Sequence, residues 1–136
     1  MNKSECQRMI KLHEGFSAMP YVDTQGKTTI GWGWNLTDNG IPLDVAQLLF
    51  DHSFNVAVSE LEKFDWYNDQ PDGIQEALVN MSFNLGISRL LKFKKLIAAL
   101  ERKDYAQAAA EALDSRWARQ VGRRSKDIAR LLEAGR

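Results

Sequence analysis

Two carboxylates and a hydroxyl stand close together near the start of the chain: Glu14, Asp23 and Thr29, within the stretch EGFSAMPYVDTQGKTTIGWGWN from residue 14 to residue 35. An acid that gives up a proton, a second carboxylate and a group that orients water are the parts needed to hydrolyse a glycosidic bond. Glu14 closes a helical pattern and so meets the negative end of the helix macrodipole, a setting that suits a proton donor. Asp23 falls in a turn, and the chain reverses between the two, which allows them to face each other across a cleft. Phe16 and Met19 supply an apolar flank. Spacing alone does not separate this pair from two ordinary surface carboxylates, because 18 acidic side chains make many such pairs.

The elements that must hold these groups are legible from periodicity. Ser4 with Gln7 three residues on has the form of a capping box, and Cys6, Met9, Ile10 and His13 recur at helical spacing. The first helix is therefore expected to run to about Glu14 and stop at Gly15. From Tyr21 to Gly33 the pattern becomes strand-like, with a turn over Asp23-Thr24-Gln25-Gly26 in which Gly26 supplies a positive φ. Gly31 and Gly33 alternate with Ile30, Trp32 and Trp34, so one side of this strand is nearly bare backbone.

Pro42 opens a long helix expected to end near Lys63, and Phe64 to Gly73 reads as a loop. Beyond it lie four apolar stripes at helical spacing, on Ile74 to Leu85, Phe93 to Leu100, Tyr105 to Leu113 and Ile128 to Leu132. Helices this short must pack on each other to be stable. The fold class expected is α+β and mainly helical, a small β-hairpin lobe joined by a long helix to a helical bundle. One domain over residues 1–136 is expected, with the hairpin lobe at about 15–42 and the helical lobe at about 64–136 plus the N-terminal helix.

Composition narrows the function classes. An apolar fraction of 44% and a charged fraction of 26% exclude disordered and fibrous chains. Net charge is zero, but residues 1–68 carry 5 basic and 9 acidic side chains while residues 69–136 carry 13 and 9. The basic cluster Arg116, Arg119, Arg123, Arg124, Lys126 and Arg130 lacks a recognition-helix or aromatic-interleaved signature, so no nucleic-acid partner is expected. Cys6 is the single cysteine and reads as a small core hydrophobe; no intrachain disulfide is possible. His52 has no ligand-spaced His or Cys, and no metal site is expected. Neither a leader-like apolar run at the N-terminus nor 18 consecutive apolar residues occur, so stable membrane insertion is not expected.

Three stretches in order carry a family resemblance: Glu14-Gly15, Asp23-Thr24-Gln25-Gly26 and Thr29-Ile30-Gly31-Trp32-Gly33; then Ala77-Leu78-Val79-Asn80-Met81-Ser82-Phe83-Asn84-Leu85-Gly86; then Ser115-Arg116-Trp117. The chain resembles the phage-type lysozymes, glycoside hydrolase family 24, over nearly its whole length. The resemblance implies a muramidase that hydrolyses the β-1,4 bond between N-acetylmuramic acid and N-acetylglucosamine in bacterial peptidoglycan. It assigns Glu14 as general acid, Asp23 as the carboxylate assisting water in an inverting displacement, and Thr29 as the hydroxyl holding that water. Asn35, Phe83 and Arg124 match substrate-contacting positions, Arg124 being the basic residue that pairs with the acid.

Trp34 replaces a common family His and is the tryptophan expected to face the cleft, whereas Trp117 is expected in the core. Two further family sugar contacts become Leu96 and Ala112 here and are assigned no binding role. No cofactor is implied, because protonation and water activation need only side chains. The partner expected is peptidoglycan, approached by a monomer. The chain is short for the family, as though a terminal helix were absent. Without a leader, the enzyme is expected to accumulate in the host cytoplasm and reach the wall at lysis. The alternative function is a weak or inactive peptidoglycan-binding module.

Overall fold

The first helix, α1 (Lys3–Glu14), starts one position before the expected cap: Asn2 is the N-cap, and its Oδ1 accepts the Glu5 amide at 3.0 Å. Asn caps as well as Ser does, and Ser4 is left inside the first turn. The helix ends at Glu14, where the Gly15 amide donates back to the Lys11 carbonyl. The computed structural model describes residues 1–136 and confirms a mainly helical α+β fold.

After α1 come β1 (Ser17–Val22), β2 (Thr28–Gly31) and β3 (Trp34–Asn35), an antiparallel sheet in the order β1-β2-β3. Ser17 pairs with Gly31 and Tyr21 with Thr29, with an irregularity between them; Thr29 also pairs with Asn35. The hairpin thus gains a short third strand, followed by a short helix α2 (Leu36–Asn39). Asn35 causes that change of direction, since its side chain accepts the Asp38 amide and caps α2.

Next are α3 (Leu43–Leu61), α4 (Asp65–Asn68), α5 (Asp72–Leu85), α6 (Ile87–Leu90), α7 (Lys94–Glu101), α8 (Tyr105–Leu113), α9 (Arg116–Val121) and α10 (Arg123–Ala134). The stretch expected as a loop at 64–73 is more ordered than its Pro, Gly and Asp content suggested. It holds α4 and the start of α5, with Pro71 as the α5 N-cap. Proline there needs no backbone donor, which is why it begins the helix rather than breaking it.

The chain divides into two compact units, residues 1–48 and 49–136. Thr29 is the single buried residue of the first. Cys6, expected in a core, is exposed, and no residue of α1 is buried. The second unit carries the hydrophobic core, from Ala57 and Leu61 through Leu78, Met81 and Leu100 to Ile128 and Leu132. In it α10 packs on α8 and α5, and α7 on α8. Trp117 is in the core as expected; its indole N–H donates to Asn84 Oδ1 at 2.8 Å and its ring meets Phe93 edge-on. Gln70 is buried with its amide donating to the Trp66 and Leu100 carbonyls and its oxygen accepting from the Tyr105 hydroxyl.

Candidate active site

In the first unit the helix end delivers Glu14 onto the turn between β2 and β3. Gly33 has φ +78°, and a Cβ built on it would stand 2.5 Å from Glu14 Oε2. A side chain here would strain the backbone at that angle, and its Cβ would push the Glu14 carboxyl from its place. Asp23 is half-buried at the end of β1. Its Oδ1 accepts two backbone amides, Gln25 at 2.8 Å and Lys27 at 2.9 Å, and the Gly26 amide, in a residue with φ +77°, donates to the Asp23 carbonyl. One carboxylate oxygen therefore builds the turn, and Oδ2 is left for other work.

Thr29 is 4% exposed, and its hydroxyl donates to the Lys27 carbonyl at 3.1 Å. With its proton so engaged, the oxygen can accept from a further donor. Because Thr29 pairs with Tyr21, and side chains alternate along a strand, Thr29, Tyr21 and Asp23 share one side of the hairpin.

Trp34 is partly exposed, with its indole N–H donating to the Gly40 carbonyl at 2.7 Å, which leaves the ring faces open. Asn35 uses Oδ1 to cap α2 and Nδ2 to reach Asp38 Oδ2 at 3.0 Å. Asp38 also receives Lys27 Nζ at 2.9 Å, and this lysine holds its carboxyl below the ordinary range, the Asn35 amide adding to the effect. The Thr28 amide donates to Thr37 Oγ1, so α2 is fastened both to β2 and, through Lys27, to the turn before it.

In the second unit Phe83 and Arg124 line one groove of about 490 Å³ together with Phe50, Phe54, Val58 and Tyr67. The Phe50 and Phe83 rings lie 5.4 Å apart. Burial, with Glu62 adding, pushes the Tyr67 phenol above its ordinary value. Arg124 is held by Asn80, which accepts from Nε at 2.8 Å through its side chain and from Nη2 at 3.2 Å through its carbonyl. Asn80 was given no role from sequence; the two are 44 residues apart and no local pattern links them. Leu96 and Ala112 are buried. The sequence-derived residues thus fall into two sets, Glu14, Asp23, Thr29, Trp34 and Asn35 in one unit and Phe83 and Arg124 in the other. No three His, Cys, Asp or Glu side chains converge as a metal-binding group.

A mainly helical α+β chain whose first helix ends on a carboxyl seated against a glycine-rich three-stranded sheet defines a lysozyme-like glycoside hydrolase. The pattern of the phage lysozyme family matches residues 11–133, and the chain belongs to that family. Among its relatives are two proteins of Dictyostelium discoideum. Probable T4-type lysozyme 2 is 29% identical and probable T4-type lysozyme 1 is 26% identical, each over an alignment of 162 residues that covers 97% of this chain and 95% of the relative. That span exceeds the 136 residues of this chain, so the relatives hold residues within it that this chain lacks. The protein is a lysozyme, and peptidoglycan is the substrate class its family implies.

Proposed function

We propose that this lysozyme cleaves the β-1,4 bond between N-acetylmuramic acid and N-acetylglucosamine by an inverting displacement. Glu14 gives its proton to the glycosidic oxygen as the bond to the anomeric carbon breaks. A water attacks that carbon from the opposite face, passing one proton to Asp23 Oδ2 and holding the other toward Thr29 Oγ1. Directing both water protons to acceptors leaves the lone pair aimed at carbon. Product release and proton exchange with solvent return Glu14 and Asp23 to their starting forms.

The observation that carries this reading is the seat of Glu14: a carboxyl at a helix C-terminus, against Gly33, where a Cβ would displace it. The committed Oδ1 of Asp23 and the committed proton of Thr29 support the water-side roles, because each fixes a side chain and leaves one acceptor open. Trp34 and Phe83 offer rings for sugar faces, Arg124 a cation, and Asn35 the amide proton not given to Asp38. The enzyme acts as a monomeric endolysin that accumulates in the host cytoplasm and meets the wall when a separate release step opens the way.

Clearing of purified peptidoglycan, with new reducing ends counted, tests the assignment. Glu14→Gln is expected to lower turnover by about 10²–10⁴-fold with folding intact. Unchanged clearing by Glu14→Gln refutes the acid assignment. Binding of peptidoglycan by the wild type without new reducing ends would favour a binding module instead.

A further inference from the structure

Glu14 is flanked in the chain by two residues that grip the same ring. Lys11, one helical turn earlier, places its Nζ 4.3 Å from the centroid of the Trp32 ring. Phe16, two residues later, lies 4.8 Å from Trp32, centroid to centroid, at an interplanar angle of 47°. The backbone explains how both reach it. α1 ends on Glu14, the chain reverses at Gly15 with φ +70°, and β1 then pairs Ser17 with Gly31, which brings Phe16 beside Trp32. Trp32 in turn immediately precedes Gly33, whose bare Cα seats the Glu14 carboxyl.

Trp32 is 48% exposed, so core formation does not account for its contacts. A tryptophan ring offers the strongest face for an ammonium and a broad apolar surface for phenylalanine. From this geometry we infer that Trp32, clamped between Lys11 and Phe16, is a positioning residue that fixes the Glu14 carboxyl against Gly33. The two contacts bracket Glu14 in the chain, so a shift of the helix end relative to the β2–β3 turn moves Lys11 and Phe16 against the ring. This inference rests on Glu14 being the acid. It adds that the β2–β3 turn, through one half-exposed ring, sets where that acid points.

The consequence is a loss of alignment rather than of binding when the ring is removed. A displacement of about 1 Å in a reacting group is enough to cost roughly 10²-fold in rate. The test is steady-state hydrolysis of soluble uncrosslinked peptidoglycan strands by the wild type, Glu14→Gln, Trp32→Ala, Trp32→Phe and Lys11→Met, with thermal melting of each. Trp32→Ala is expected to lower kcat about tenfold or more with KM within about twofold, since an interaction felt only in the transition state is lost. Trp32→Phe keeps a ring between Lys11 and Phe16 and is expected to recover most of that loss. Lys11→Met, on an exposed helix face, is expected to keep the wild-type melting temperature and to lower kcat alone, and it tests the clamp even if Trp32→Ala fails to fold.

Wild-type kcat in folded Trp32→Ala or in Lys11→Met overturns the inference. So does a rise in KM without a fall in kcat, which would make Trp32 a sugar contact, or a Trp32→Phe variant no better than Trp32→Ala. If Glu14→Gln itself retains activity, the acid assignment has failed rather than the clamp.

Discussion

Residues 1–48 contain one buried side chain, Thr29, whereas residues 49–136 contain every member of the hydrophobic core. The first region is held by polar groups: Asp23 Oδ1 closing its turn, Thr37 accepting from Thr28, Asp38 joining Lys27 to Asn35, and Trp34 donating to Gly40. The second is held by leucines, isoleucines and alanines on interlocking helices, with Gln70 and Trp117 fully hydrogen-bonded among them. The difference teaches where function and architecture overlap. In the first region the groups proposed for chemistry are also the groups that build the fold. In the second they are separate, and Arg124 and Phe83 sit on a groove beside a core that does not need them.

Asp23 gives the largest test of that overlap. Asp23→Ala is expected to lose about 10²–10⁴-fold in turnover and also to loosen the turn, because the Gln25 and Lys27 amides lose their acceptor. Asp23→Asn keeps an oxygen for those amides and loses only the charge. It is expected to be as inactive as Asp23→Ala while melting like the wild type, and calorimetry beside a reducing-end assay reads both. Equal melting of Asp23→Ala and Asp23→Asn would show that the turn does not depend on this oxygen.

The opposite pattern is expected in the second region. Leu78 is fully buried on α5, and Leu78→Ala is expected to cost about 2–5 kcal/mol through lost transfer energy and the cavity left behind. Turnover per folded molecule should remain near the wild-type value. Denaturant unfolding supplies the stability, and activity normalised to the folded fraction supplies the rest. A fall in normalised activity comparable to that of the Asp23 variants would end the separation of core from chemistry.

The sequence was most readable where periodicity governs. The stripes on Ile74 to Leu85, Phe93 to Leu100 and Ile128 to Leu132 became α5, α7 with Phe93 as its N-cap, and α10, because helical spacing maps directly onto a buried face. The stop at Glu14-Gly15 and the positive φ of Gly26 followed from local backbone rules. Less readable were features that depend on where distant parts of the chain meet. The seat of Glu14 on Gly33 and the Arg124–Asn80 pair leave no local signature. Asn35 shows a different limit: an asparagine with an acidic residue three positions on is a helix-cap signal, and the motif alone does not bring out that it caps α2. Cys6 is exposed despite its apolar spacing, because no residue of α1 is buried and periodicity alone does not make a core.

The smallest effects set the two regions at opposite ends of the pH scale. The Asp38 side chain is half exposed, and hydrogen bonding from Lys27 holds its carboxyl below the ordinary 3.8. A carboxyl depressed in the folded state contributes stability that is present above 3.8 and is lost as pH falls through the lower folded value. Tyr67 runs the other way. Burial raises its phenol above 10.0, so the folded chain keeps a proton that the unfolded chain releases, and stability present below 10.0 is lost as pH rises through the folded value. Lys27→Met is therefore expected to flatten the acid limb of a melting-temperature profile, slightly because the pair is solvent-screened, and Tyr67→Phe to flatten the alkaline limb. Amide resonances would place each change: the acid transition on residues around Thr28 and Thr37, the alkaline one on α4 and α5. If Lys27→Met instead shifted the alkaline limb, the hydrogen bond to Asp38 would not be what ties α2 to the sheet.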